Sequence, residues 1–206
     1  MCESSMSSNF YEFKSKMYLR CSECDLIFMH SKYYLSEKDE KEIYDRHENS
    51  PKDDRYRKFL SRLFIPFIEK IHPNSKGLDF GSGSGPTLSV MLEEVGHSMK
   101  IFDKYYFNEP EALHDSYDFI TATEVFEHLK RPGVEIERLI NLLNPFGFLG
   151  VMTKFASDLE HFKDWHYKND PTHICFYSLK TIDWINNKYG LKSTVFGSDV
   201  VIFEKR

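Results

Sequence analysis

Two stretches of the chain carry residues that can do chemistry. "TEVFEHLKRP" brings Glu124, Glu127 and His128 within five residues, just before a Pro132-Gly133 break. "LDFGSGSGP" alternates Gly81, Gly83 and Gly85 with Ser82 and Ser84. If the first stretch is helical, its two carboxylates and imidazole sit at i, i+3 and i+4 and face one way. Oxygen-rich ligands suit Mg²⁺ or Mn²⁺, and an added imidazole admits Zn²⁺ or Fe²⁺. A plainer reading makes these groups a solvated helix start, with acidic charge favoured at its positive end and His128 capping or packing locally. Further on, "WHYKNDPTHICFYS" sets His173 after a proline-containing turn. The candidate metal set is therefore Glu124, Glu127, His128 and His173, with His161, His166 and Asp170 as less specific alternatives. A metal-free role is equally open, in which His128, His173 and Glu124 orient an acceptor hydroxyl or take its proton.

The glycine stretch is a backbone device. Glycine permits a tight turn and close approach by a ligand, and a helix beginning after it aims backbone N–H groups at that ligand. The dinucleotide pattern G-x-G-x-x-G fails at its third glycine, where Pro86 stands, and no Gly-Lys-Ser/Thr ending marks a nucleotide-phosphate loop. Asp103 lies 22 residues beyond Gly81, at the end of the next apolar run. That spacing suits a carboxylate accepting hydrogen bonds from ribose hydroxyls.

These groups need a frame. "KGLDFG", "SMKIFD", "YDFITAT" and "GFLGVMTKF" read as strands, and "PTLSVMLEEVG", "GVEIERLINLL" and "LKTIDWINNKYG" as the helices between them. The tail "KSTVFGSDVVIFEKR" reads as a hairpin turning near Gly197-Ser198-Asp199. The expected fold class is α/β, a Rossmann-like mostly parallel sheet ending in an antiparallel hairpin. Only thirteen residues separate Asp103 from Tyr117, too few for a helix and a further strand, so the third strand is expected to be reduced or missing. An amphipathic helix, "YRKFLSRLFIPFIEKI", precedes the sheet, with Pro66 placed to bend or divide it. The division expected is a small ribbon-like extension over residues 1–50 and a main domain over 51–206.

Asp79-Phe80-Gly81-Ser82-Gly83-Ser84-Gly85, Asp103, "YDFITATEVFEHL" and the "NPFG" turn together resemble the class I S-adenosylmethionine-dependent methyltransferases. The resemblance covers roughly residues 60–206. It implies S-adenosylmethionine as cofactor, with Asp79, Gly81, Ser82, Gly83 and Gly85 at its amino-acid end and Asp103 at its ribose. Thr123 and Glu124, after the fourth strand of that fold, should border adenine and acceptor. Glu124, Glu127 and His128 also match the E-x-x-E-H of 3'-terminal RNA ribose methyltransferases, which hold Mg²⁺ with a distant histidine, here His173. "EVFEH…P" is similar to quinone-pathway O-methyltransferases as well, some of them metal-dependent. Cys21-x-x-Cys24 looks like half of a zinc ribbon seen before other methyltransferase domains. Cys2 is the expected further ligand there, Ser5 stands where a fourth cysteine would, and His30 is a speculative substitute.

Composition narrows the acceptor. The net charge is −5, and no extended basic region carries interleaved aromatics, which disfavours RNA. Trp165, Tyr167, Phe176 and Tyr177 suit a base, a small-molecule pocket or plain packing. No run reaches the length of a membrane span, and the start lacks a secretory apolar segment, so a cytoplasmic setting is expected. No G-x-S-x-G elbow is present, and Cys175 with His173 makes a weak nucleophilic pair. The expected activity is in-line methyl transfer to a small-molecule acceptor, at oxygen. The alternatives are a metal-assisted RNA ribose methyltransferase, an inactive scaffold of the same fold and, more distantly, an NAD enzyme. Nothing in the sequence sets the oligomeric state.

Overall fold

The computed structural model describes residues 1, 6–46 and 49–206. The polar first part folds into β1 (Ser7–Phe13), β2 (Lys16–Cys21) and β3 (Ile27–Met29), followed by α1 (Glu37–Tyr44). Lys14 and Ser15 both adopt positive φ, which closes the tight turn between β1 and β2. Ser36 caps α1 by accepting from the Asp39 N–H. Then comes α2 (Asp54–Ile68), capped by Asp53 and burying Leu60, Leu63 and Phe67. Pro66 neither divides nor ends it: the residue sits in the last turn, and the helix is continuous.

The main sheet is built from β4 (Lys76–Phe80), β5 (Ser98–Phe102), β6 (Tyr117–Thr123) and β7 (Leu143–Met152), with α3 (Thr87–Glu94) and α4 (Pro132–Leu142) in the crossovers. It ends in β9 (Leu191–Phe196) and β10 (Val200–Lys205), after α5 (Leu159–Asp164), β8 (Cys175–Phe176) and α6 (Leu179–Tyr189). Its strand order is β5-β4-β6-β7-β10-β9. The first four strands run parallel, and β10 is antiparallel to both β7 and β9. β5 is therefore an edge. The chain from Asp103 to Tyr117 makes only an isolated bridge, Asp103 to Phe107, and a short 3-10 turn at Pro110–Leu113. The third strand is missing, as the short spacing requires.

The N-terminal strands are not a separate ribbon. β8 pairs with β3 and completes a second sheet of order β1-β2-β3-β8. Met29 N–H also donates to Ile174 O at 2.8 Å. One core cluster holds Tyr18, Ile27 and Met29 from this sheet together with Ile120, Val151 and Phe176. Burial of that shared apolar surface is what fastens the two sheets together. Among the described residues, no helix is long and apolar enough to cross a membrane.

Candidate active site

β4 ends in the glycine loop and β5 ends in Asp103, so parallel pairing sets the two side by side. Gly81 N–H and Ser82 N–H both donate to Phe102 O, at 2.7 and 3.3 Å. Gly83 N–H donates to Asp103 Oδ2 at 3.0 Å. Asp103 Oδ1 accepts from the N–H groups of Tyr105 and Tyr106, at 2.8 and 3.1 Å. The carboxylate is thus locked at the rim before any ligand arrives. Gly81 and Gly83 adopt φ of +74° and +66°, conformations that strain any residue with a Cβ. A Cβ on Gly81 would stand 2.4 Å from Val125 Cγ2.

A cavity of about 810 Å³ opens here, with Gly81, Ser82, Gly83 and Asp103 on one part of its wall and Thr123, Glu124, His128 and His173 on another. This volume falls in the range of cofactor sites. Asp79 and Gly85, expected to touch the cofactor, are not on the wall. Asp79 is 2% exposed and accepts from Thr121 Oγ1 at 2.8 Å and Ser89 Oγ at 3.1 Å. It braces the loop from below, and burial pushes its carboxyl up to about 6. Gly85 lies against Asn49, whose carbonyl oxygen would be 2.1 Å from a Cβ there.

The E-x-x-E-H segment is not the helical turn that its spacing suggested. Glu124 has φ +53°, residues Phe126–His128 form one 3-10 turn, and α4 begins only at Pro132. The left-handed kink at Glu124 turns the chain off the strand end, and this separates the roles of the two glutamates. Glu127, His128 and His173 bring one ligand atom each to within 4.8 Å of one another, and Glu124 is outside that group. The expected four-ligand set therefore narrows to three, with Glu124 beside them on the cavity wall.

Both imidazoles are oriented by backbone. His128 Nδ1 donates to Thr172 O at 3.0 Å, and His173 Nδ1 donates to Tyr167 O at 2.7 Å. A carbonyl can only accept, so each ring keeps its lone pair on Nε2. Burial lowers the pKa of both rings, and His128 lowers that of His173 further. Glu127 is fully buried and accepts from Tyr167 Oη through Oε1 at 2.5 Å. Its Oε2, like Glu124 Oε1, is buried without a hydrogen-bond partner. Burial raises both carboxyls, and their mutual repulsion raises Glu124 further. Two neutral imidazoles facing a buried carboxylate with an unused oxygen form a donor set that fits a divalent ion.

The other expected ligands are outside the three-residue group. His166 Nε2 pairs with Lys154 Nζ at 3.1 Å, and His161 packs on Trp165. Asp170 Oδ1 accepts from its own turn at Thr172, while its Oδ2 stands 3.9 Å from His173 Nε2 on the wall of the same cavity. Cys21 and Cys24 are buried in the core and, among the described residues, join no group of three potential ligands. Their expected companion Cys2, and Ser5, lie outside the described residues. The sequence left Tyr44, Glu40 and Lys154 unmarked as cavity-wall residues, and it marked Tyr167 for stacking, pocket lining or packing but not as the partner of Glu127. A tyrosine distant in sequence from its carboxylate leaves no local signal.

Residues 45–194 match the family described as Methyltransferase domain. No curated protein is significantly similar in sequence. Among solved structures, a Pyrococcus horikoshii OT3 protein superposes with a TM-score of 0.52 at 13% identity, over 80% of this chain and 99% of that one. An O-methyltransferase family 2 protein from Planctomyces limnophilus DSM 3776, in complex with apigenin, gives 0.51 at 15% identity over 70% of this chain. An O-methyltransferase family protein from Burkholderia thailandensis gives 0.51 at 13% identity over 71%. The match spans 56% of each of these last two chains. Glycine loop, rim aspartate, sheet order and family match agree: the chain belongs to the methyltransferase domain family and is an S-adenosylmethionine-dependent methyltransferase.

Proposed function

We propose that this methyltransferase acts on an oxygen of a small-molecule acceptor, next to a divalent ion held by Glu127, His128 and His173. One observation carries the reading. Both Nδ1 atoms are committed to carbonyls, so two Nε2 lone pairs and the unpartnered Glu127 Oε2 are left for an ion at the edge of the cofactor cavity. Two imidazoles with one carboxylate suit Mn²⁺, Zn²⁺ or Fe²⁺ better than Mg²⁺, which prefers oxygen ligands.

S-adenosylmethionine supplies a methyl group activated on a positive sulfur. An ion held by Glu127, His128 and His173 would lower the pKa of an acceptor hydroxyl brought to it. The protein's own residues position and shield. Gly81 to Gly83 and Asp103 hold the cofactor's amino-acid and ribose parts, while Phe59, Phe80 and Val125 give the cavity an apolar wall. Glu124 Oε1 is the group to receive the acceptor's proton, because it lies on the wall with no partner of its own. Positioning of this kind is the larger part of what a methyltransferase must do. His128 and His173 serve better as ligands than as bases, since burial weakens their hold on a proton.

A small acceptor is favoured by charge. Three of the wall cations, Lys104, Lys130 and Arg138, are paired with Glu37, Glu40 and Glu135, and with Arg131 and Lys154 they make a charge-mixed lining instead of the continuous positive groove that suits a phosphate backbone. The test uses S-adenosylmethionine with a labelled methyl and a panel of phenols, catechols, aliphatic diols and a short RNA. The expected result is an ether-linked label on a hydroxylated small molecule, lost with EDTA and restored by Mn²⁺. Label on the RNA terminus would shift the reading to ribose. Transfer indifferent to EDTA would remove the ion from it, and absence of S-adenosylhomocysteine binding would favour the scaffold.

A further inference from the structure

The three candidate ligands come from two places in the chain, yet one short segment holds all of them. Running from Tyr167 to Ile174, it supplies Tyr167 O to His173, Thr172 O to His128, and Tyr167 Oη to Glu127. Ile174 N–H also donates to Glu127 O at 2.8 Å. Tyr167 appears twice. Its ring centroid is 4.1 Å from that of His173, so it orients that imidazole by contact as well as through its carbonyl. Its hydroxyl lies 3.4 Å from Thr153 Oγ1 and 3.5 Å from Glu124 Oε2, between the two carboxylates. Tyr167 is only 5% exposed, and its ring is packed among Trp165, Phe176 and His173, so the hydroxyl has little room to leave.

We infer that Tyr167 is a positioning residue for the divalent ion: its hydroxyl engages Glu127 Oε1 and so fixes the carboxylate beside the two imidazoles, with Oε1 4.0 Å from His128 Nε2, and its carbonyl fixes the tautomer of His173. The inference rests on the three-ligand reading above. Partners of this kind, one shell out from a metal, typically change its affinity by about 10- to 100-fold. The second sheet gains a purpose from the same geometry. Tyr18 Oη donates to Lys168 O, and β3 pairs with β8 immediately after His173, so the N-terminal strands support the segment that carries the outer partners.

The experiment measures Mn²⁺ binding by electron paramagnetic resonance, with S-adenosylhomocysteine binding by calorimetry on the same samples. The wild-type chain should bind one Mn²⁺. Tyr167→Phe removes only the hydroxyl and should weaken Mn²⁺ by about 10- to 100-fold, with S-adenosylhomocysteine affinity unchanged. Equal Mn²⁺ affinity in Tyr167→Phe and wild type would overturn the assignment of Tyr167 while leaving the ion in place. A wild-type chain that binds no Mn²⁺ would overturn the three-ligand reading and this inference together. Should the unpaired carboxylate in Tyr167→Phe prevent folding, Tyr167→Phe/Glu127→Gln is compared with Glu127→Gln alone. If the hydroxyl acts through Glu127, the two bind Mn²⁺ equally; a further loss in the double variant would contradict that route.

Discussion

Two parts of one cavity are built by opposite means. The cofactor rim is made of backbone: Gly81, Ser82 and Gly83 donate their N–H groups to the end of β5 and to Asp103, and the shape comes from positive φ values. The proposed ion cluster is made of side chains that meet from distant positions, and it is held by a segment outside the main sheet. The rim is therefore vulnerable to any added Cβ, whereas the cluster is vulnerable to loss of single polar atoms. If the account is right, damage to one should spare the other.

The largest effect is expected at Gly81. In Gly81→Val the new side chain meets Val125 in a left-handed backbone, so S-adenosylhomocysteine affinity should fall by more than about 100-fold. Calorimetry checks this, and near-normal binding would break the backbone account of the rim. Next in size, His173→Ala should weaken Mn²⁺ by about 100-fold while leaving S-adenosylhomocysteine within a few-fold of wild type. Loss of both ligands together would mean that the two regions are not independent.

Asp79 sharpens the comparison because it braces the rim from below with a side chain buried like those of the cluster. Its carboxyl is raised by burial to about 6, above the unfolded value of about 3.9. The folded state therefore holds the proton more tightly, and stability falls as pH rises through the window from about 4 to 6. Two units correspond to about 3 kcal/mol. Denaturant unfolding of wild type and Asp79→Asn across that window should show wild type losing ground to the variant by up to that amount. A constant difference would contradict the shift. The smallest effect belongs to α1, which reaches the rim through Lys130–Glu40 and Lys104–Glu37. Lys130→Ala should cost at most about 1 kcal/mol in stability, and less in high salt.

The same contrast explains what the sequence could disclose. Loop, rim aspartate and missing strand were legible because consecutive residues and a thirteen-residue gap determine them. The E-x-x-E-H spacing suggested a shared face, but spacing implies a face only on a helix, and Glu124 sits at φ +53° after a strand. That one dihedral removes Glu124 from the ligand group. His173 could be named from its type and from the turn before it. The closure of the N-terminal sheet by β8 could not, because two residues make no periodic pattern. Asp79 was assigned to the cofactor from the motif, whereas its oxygens are spent on Thr121 and Ser89.

The central claim is that Glu127, His128 and His173 hold one ion at the edge of the cofactor cavity. The most direct measurement is anomalous scattering from a crystal grown with S-adenosylhomocysteine and soaked in Mn²⁺. The account predicts one strong peak within bonding distance of both Nε2 atoms and a Glu127 oxygen, absent in His173→Ala. Cofactor bound against the glycine loop, with no peak between these three side chains, would contradict it.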